Sequence, residues 1–236
     1  MTNAAFPRII ELHMDMEERL REAMRKTEVV RPPRRRLATF GSTSIDYYVV
    51  TDVGDSMSIV RDGKVMAERP RIVTPYYLLH LEGFSDSARA YLGMMADANP
   101  HEPGVFYSYR NEPDSMNIVS EPLPVVLGNL SARLDADDKP LSAIMQGTED
   151  MWDLAVMMFI YELTRSAVGG NVADMRRHGL LARDSSGVTE AVRQEIELLF
   201  AVVREDRSRA PELVAELNRW GLYGEYEDRF LNLFRK

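Results

Sequence analysis

The sequence predicts an α+β protein with a small, mostly antiparallel sheet of about five strands in two hairpin groups, a long N-terminal helix and a helical C-terminal half. Residues 4–25 carry apolar side chains at steps of three and four, which is typical of an amphipathic helix. Two groups of strand-like segments follow between residues 44 and 119, and helical periodicity dominates after residue 120. Because strands and helices do not alternate along the chain, a mostly antiparallel sheet with helices packed on it is expected.

The first helix is predicted over residues 4–25, where Pro7 fits the first turn. Its apolar side chains form one broad stripe, with most of the charged residues on the other side. A stripe of this width needs a surface to cover it, either on the same domain or on a neighbouring subunit. The stripe consists of Phe6, Ile9, Ile10, His13, Met16, Leu20 and Met24.

A basic, proline-containing linker is predicted over residues 31–43, because the residue before a proline avoids the helical conformation. The chain is accordingly divided into an N-terminal amphipathic helix (1–30), this linker, and a single α+β domain (44–236), with a subdivision near residue 120 left open. Residues 1–36 hold nine Lys/Arg and six Asp/Glu, a net charge of +3, although the whole chain carries −8. Anion or partner binding by the linker would use Arg31, Arg34, Arg35 and Arg36.

Strands are predicted from alternation and from turn residues. Residues 44–53 alternate apolar and polar side chains, as in a half-buried strand. Asp62-Gly63 lies between two β-prone stretches and predicts a tight hairpin turn. A second hairpin is predicted from residues 105–110 and 116–119, with the turn at residues 112–115.

Helices are predicted over most of the remaining chain. One begins at Glu121-Pro122, and Pro140 is expected to start a short helix or turn through residue 145. A buried helix is predicted over residues 149–166, ended by Gly169-Gly170. Three further helices are expected between residues 188 and 235.

No motif in the sequence specifies a chemistry. The absence of cysteine excludes disulfides, thiolate metal sites and a cysteine nucleophile. Candidate metal ligands are Glu149, Asp150 and Asp153, although acidic residues in a first helical turn also stabilise the helix dipole. The element order over residues 4–82 resembles the core order of restriction-endonuclease-like nucleases, which implies Asp52 or Asp55 and then Glu68 as ligands. The residue two positions after Glu68 is Pro70, where that family has lysine.

We therefore expect a non-enzymatic, cytoplasmic protein of acidic composition that binds a protein partner or itself, with homo-oligomer formation and without a cofactor. The alternatives are a metal-dependent phosphoester hydrolase or nuclease with dispersed carboxylates, and a binder of RNA or polyphosphate through the basic linker. The acidic body argues against nucleic acid as a main partner. The longest apolar run, eight residues from Leu154 to Tyr161, is too short to span a membrane.

Overall fold

The computed structural model describes residues 18–54, 56–80, 93–94, 97 and 104–235. The chain divides into two compact units. Unit 1 comprises Met1–Arg69 and Ser108–Gly169, and unit 2 comprises Pro70–Tyr107 and Gly170–Lys236. The three-part division 1–30, 31–43 and 44–236 is not tested by these two units and stays a prediction.

Unit 1 contains a five-stranded sheet and three helices. Helix α1 covers residues 18–26 among the described positions. The strands are β1 (Glu28–Arg31), β2 (Thr43–Gly54), β3 (Met57–Ala67), β6 (Tyr109–Val119) and β7 (Ser142–Gly147). Helix α3 is Leu123–Ala136, and helix α4 is Trp152–Arg177, preceded by a 3₁₀ turn at Glu149–Met151. Residues 152–169 of α4 belong to unit 1, and its last eight residues belong to unit 2.

The sheet is mixed, so the expectation of a mostly antiparallel sheet in two hairpin groups was wrong. The strand order is β1-β7-β2-β3-β6, and β7 runs parallel to its neighbour β2. The prediction of a helix or turn through residue 145 was wrong, because these residues belong to β7. Ser142, Ala143, Ile144 and Met145 are all buried, and a strand covered on both faces shows a continuous apolar run without alternation.

The predicted hairpin at Asp62-Gly63 was also wrong, because β3 runs straight through this dipeptide. The chain reverses instead between β2 and β3, where Gly54 and Ser56 have positive φ angles of 83° and 61°. Gly63 allows the backbone of β6 and the side chain of Tyr47 to come close to β3. A Cβ atom at this position would lie 2.6 Å from the Glu112 carbonyl oxygen and from the Tyr47 hydroxyl.

The predicted turn at residues 112–115 is likewise part of one continuous strand, β6, at the edge of the sheet. Its pairing with β3 shifts between Asp62, which lies opposite Ser115, and Gly63, which lies opposite Pro113. Asp114 is therefore extra in the register, as in a β-bulge. An edge strand tolerates Pro113, because one side of the strand has no ladder hydrogen bonds to lose.

The two faces of the sheet are covered by different helices. Helix α3 begins at Leu123, close to its predicted start, and packs Val126, Leu130 and Leu134 against Val50 and Ile144. Helix α4 covers the opposite face, where the Cβ of Ala155 lies 3.3 Å from the place that a Cβ on Gly147 would take.

The long helix of the described residues is α4, with 26 residues, and not an N-terminal helix as expected. It continues through Gly169-Gly170, where it was predicted to end, because Ala167, Asn171 and Met175 keep one buried side at four-residue spacing. Most of the predicted N-terminal helix, including Phe6, Ile9, Ile10, His13 and Met16, lies outside the described residues.

Unit 2 is mainly helical. Its elements are β4 (Arg71–Val73), α2 (Pro75–Leu79), β5 (Gly104–Phe106), α5 (Glu190–Glu205), a 3₁₀ turn (Arg207–Arg209), α6 (Ala210–Arg219) and α7 (Tyr223–Asn232). Strands β4 and β5 form a two-stranded antiparallel sheet. The core is built from fully buried side chains of α5 and α6, among them Ile196, Phe200, Leu213 and Leu217.

Within the described part of the chain, each helix is too short or too polar to cross a lipid bilayer.

Candidate functional site

The carboxyl ends of the parallel strands β2 and β7 hold a compact ion-pair cluster. Arg61 of β3 donates from Nη1 to Glu149 Oε2 at 2.8 Å, and the Thr51 hydroxyl donates to the same carboxylate oxygen at 2.5 Å. The Arg61 guanidinium also lies over the Trp152 ring, 5.3 Å from its centroid. Arg61 therefore ties the sheet to the 3₁₀ turn before α4 and to Trp152 at the start of α4, on the face that α4 covers.

This cluster keeps Glu149 ionised. The hydrogen bonds from Arg61 hold the pKa of the Glu149 carboxyl below its usual value against the opposing effect of desolvation, and Thr51 adds to the shift. A carboxylate that accepts from both groups is a poor general acid, because its proton is lost well before neutral pH. The arrangement fixes the orientation of a helix and offers no free acid–base group.

The four predicted metal ligands are not brought together as a site. Glu149 is bound to Arg61, and Asp150 pairs with Arg19 of α1 at 2.9 Å. Asp153 is exposed on α4, and Glu68 is exposed beyond the end of β3. Among the described residues, no group of three or more His, Asp or Glu side chains is placed to hold a metal ion.

A cleft of about 1010 Å³ lies beside this cluster, between α1, the β2–β3 turn and the connection from β7 to α4. Its lining carries both signs of charge. The cations Arg25 and Lys26 are paired with Glu22, and Asp150 is paired with Arg19. The lining holds six carboxylates and three cations, so the cleft carries an excess of negative charge and does not favour an anionic ligand.

The arginines of the predicted linker serve two different purposes. Arg31 ends β1 with its side chain buried, and it donates to Asp135 at 2.7 Å and to the Ser142 carbonyl at 2.9 Å. Arg34 pairs with Asp138 at 3.1 Å. Arg35 and Arg36 are exposed, and they form no ion pair with any residue that the structure describes.

These exposed arginines border a groove of about 600 Å³ along the β1 side of α4. Phe159 and Leu163, both buried, form its floor. Val29 and the two prolines of the linker line the opposite wall. The groove therefore combines an apolar interior with a cationic rim.

The described part of the predicted interaction helix leaves apolar side chains exposed. In α1, Ala23 is buried at 3% exposure, whereas Leu20 and Met24 are 40% and 47% exposed. Leu20 and Met24 are one helical turn apart and share a side. The last two members of the stripe thus remain uncovered in unit 1.

A second set of exposed apolar residues follows the edge strand β6. Met116 and Ile118 lie opposite Arg61 and Ile59 of β3, on the face that α4 covers. On α4 itself, Met157 and Tyr161 are exposed one turn apart. Exposed apolar residues indicate a surface that contacts another protein only where they form one continuous patch.

Sequence reasoning missed two charged residues that organise the units. Arg61 interrupts the apolar side of β3 between Ile59 and Val65, and a charge inside such an alternation is a detectable signal. Glu216 of unit 2 gives no comparable signal, because Arg71 and Tyr77, two of the residues that bind it, are more than 100 residues away along the chain. It accepts from Arg71 Nη2 at 2.6 Å and from Trp220 Nε1 at 3.1 Å, and burial raises the pKa of the neighbouring Tyr77 hydroxyl.

Comparison with known proteins gives no relative to argue from. No protein-family model, curated protein or solved structure shows a significant match to this chain.

Proposed function

We propose that this protein acts without catalysis, by binding protein, and that it associates with itself through the apolar stripe of its N-terminal helix. The observation that carries the proposal is the exposure of Leu20 and Met24, at 40% and 47%, on a helix whose Ala23 is packed. The sequence extends the same stripe back to Phe6. An apolar stripe that its own unit leaves uncovered is stabilised by removal from water in an assembly.

The geometry around the candidate ligands favours this function over the metal-dependent hydrolase. The carboxylates of Glu149 and Asp150 are neutralised by Arg61 and Arg19. Arginine cannot be deprotonated to release them at neutral pH. RNA or polyphosphate binding would depend on Arg35 and Arg36, since Arg31 and Arg34 already bind carboxylates. The two guanidiniums that form no ion pair with a described residue are a small footprint for a phosphate backbone.

The proposal is tested by light scattering on the variant Leu20→Gln/Met24→Gln. Because the substitutions remove apolar surface from the stripe without adding charge, the assembly of the wild-type protein should dissociate toward the monomer mass. Deletion of residues 1–17, which leaves β1 intact, should have the same effect.

The matched control is Glu18→Gln/Glu22→Gln, also one turn apart on α1, on another side of the helix. It should keep the wild-type mass. A wild-type protein that is monomeric at every concentration, or a stripe variant with unchanged mass, would contradict the proposal.

A further inference from the structure

The groove beside α4 has the dimensions of a binding site. At about 600 Å³ it lies within the range of pockets that enclose a ligand or a few side chains. Phe159 and Leu163 give it an apolar floor on a rigid helix, and β1 and the linker prolines give it a fixed wall. Apolar side chains that enter this groove would leave water with little rearrangement of the protein.

The rim of the groove selects for negative charge. Arg34 is partly neutralised by Asp138, but Arg35 and Arg36 are exposed and have no ion pair among the described residues. Glu162 is the acidic residue of the lining. Two uncompensated guanidiniums next to an apolar floor favour a segment that is both apolar and acidic.

The first 17 residues of this chain have that chemistry. They contain Phe6, Ile9, Ile10 and Met16 at helical spacing. Their charged residues are Arg8 against Glu11, Asp15 and Glu17, a net charge of −2. The segment is thus complementary to the groove in polarity and in charge.

The chain direction favours a groove on another copy. At its start, α1 is tied by Arg19 to Asp150, next to the beginning of α4. Its other end leads after one residue into β1, which borders the groove. The chain before residue 18 therefore joins α1 at the end that is farther from β1 and from the groove of the same chain.

We propose that the groove between α4 and the linker, with Arg35 and Arg36 at its rim, receives the N-terminal segment of a second copy of this chain. This inference rests on the proposed function, because it names the surface that receives the part of the stripe that precedes Leu20. In a two-fold assembly each copy gives its segment and accepts that of its partner, so the two contacts are equivalent.

A charge-exchange experiment on the full-length protein tests the proposal. Variant A carries Arg35→Glu/Arg36→Glu, and variant B carries Glu11→Arg/Asp15→Arg. Each variant alone places like charges together, so its dissociation constant in analytical ultracentrifugation should rise at least about tenfold. An equimolar mixture of A and B pairs opposite charges at both contacts, and it should associate as tightly as the wild-type protein.

Several results would overturn the proposal. Variant A could associate as the wild type does, or the mixture could fail to recover the affinity. If all four substitutions in one chain restore a compact monomer while the mixture gains nothing, the segment binds its own groove. The control Arg204→Glu/Arg207→Glu, with the same charge change on unit 2, should associate normally, and circular dichroism verifies that each variant is folded.

The experiment separates this inference from the proposed function. If the stripe variant Leu20→Gln/Met24→Gln dissociates but variant A does not, the protein self-associates through another receiving surface and the groove is excluded. If the stripe variant and variant A both keep the wild-type mass, both proposals fail.

Discussion

Gly63 lies inside β3 because the strand has no room there for a side chain. Backbone from β6 and the buried ring of Tyr47 occupy the space that a Cβ atom would take, with contacts of 2.6 Å to the Glu112 carbonyl oxygen and to the Tyr47 hydroxyl. Glycine is therefore needed at position 63 because of packing inside a strand, and not because of the positive φ angles of a turn. Both explanations give the same dipeptide, which is why the sequence pattern favoured a hairpin.

Two glycine-to-alanine substitutions should have opposite effects on stability. Gly63→Ala should lower the free energy of unfolding by roughly 1–3 kcal/mol, because neither the Glu112 backbone nor the buried Tyr47 ring can move aside cheaply. Gly169→Ala should raise it by about 0.5–1 kcal/mol, since alanine favours the helix interior and the space around this position is open. Urea unfolding followed by circular dichroism measures both, and a neutral Gly63→Ala would contradict the close approach.

At the scale of single elements, the prediction succeeded where burial alternates along a strand. Strand β2 was predicted within a residue of its bounds, because Ile45 and Tyr47 are buried and alternate with more exposed neighbours. Strand β7 was missed because its first four residues are all buried, so its sequence shows no alternation. The end of α4 was missed because a buried side at four-residue spacing outweighs the low helix propensity of two glycines.

The basic stretch, residues 31–36, shows that the sequence pattern does not distinguish buried from exposed arginines. Its composition indicated four equivalent cations, but burial separates Arg31, at 8% exposure, from the exposed Arg35 and Arg36. Arg31 is held by Asp135 and Ser142, which lie more than 100 residues away along the chain. The sequence alone cannot indicate which arginine finds a distant partner, because that depends on how β1 pairs with β7.

Substitution of single arginines should show that Arg31 stabilises the attachment of β1 and that Arg35, at the rim of the groove, does not. Arg31→Met should lower the free energy of unfolding by roughly 2 kcal/mol, because it removes charged hydrogen bonds that attach the edge strand β1 to α3 and β7. Arg35→Met should change it by less than about 0.5 kcal/mol, as expected for an exposed side chain. Chemical denaturation of both variants measures this difference. Equal losses in the free energy of unfolding would show that Arg31 and Arg35 contribute to stability in the same way.

For the whole molecule, arginine–carboxylate pairs determine how stability responds to pH. Hydrogen bonds from Arg31 lower the pKa of the Asp135 carboxyl, and those from Arg61 lower the pKa of Glu149. In unit 2, Arg229 lowers the pKa of Glu197 in the same way. Both units therefore carry carboxylates that bind protons less readily when folded than when unfolded.

Acid should accordingly destabilise the protein. A carboxylate with a depressed pKa in the folded state contributes its stability above the unfolded value, 3.8 for aspartate and 4.5 for glutamate, and that contribution is lost as the pH falls through the folded value. In this window the unfolded chain binds more protons, so the free energy of unfolding decreases as the pH decreases. The urea midpoint should stay level near neutral pH and fall once the pH drops below the ordinary glutamate pKa.

Glu149→Gln should be less stable than the wild type at neutral pH. The difference in the free energy of unfolding between the two proteins should narrow in acid, because protonated Glu149 no longer carries the charge that Arg61 stabilises. A difference that persists or widens in acid would mean that Glu149 acts through packing and not through its ion pair.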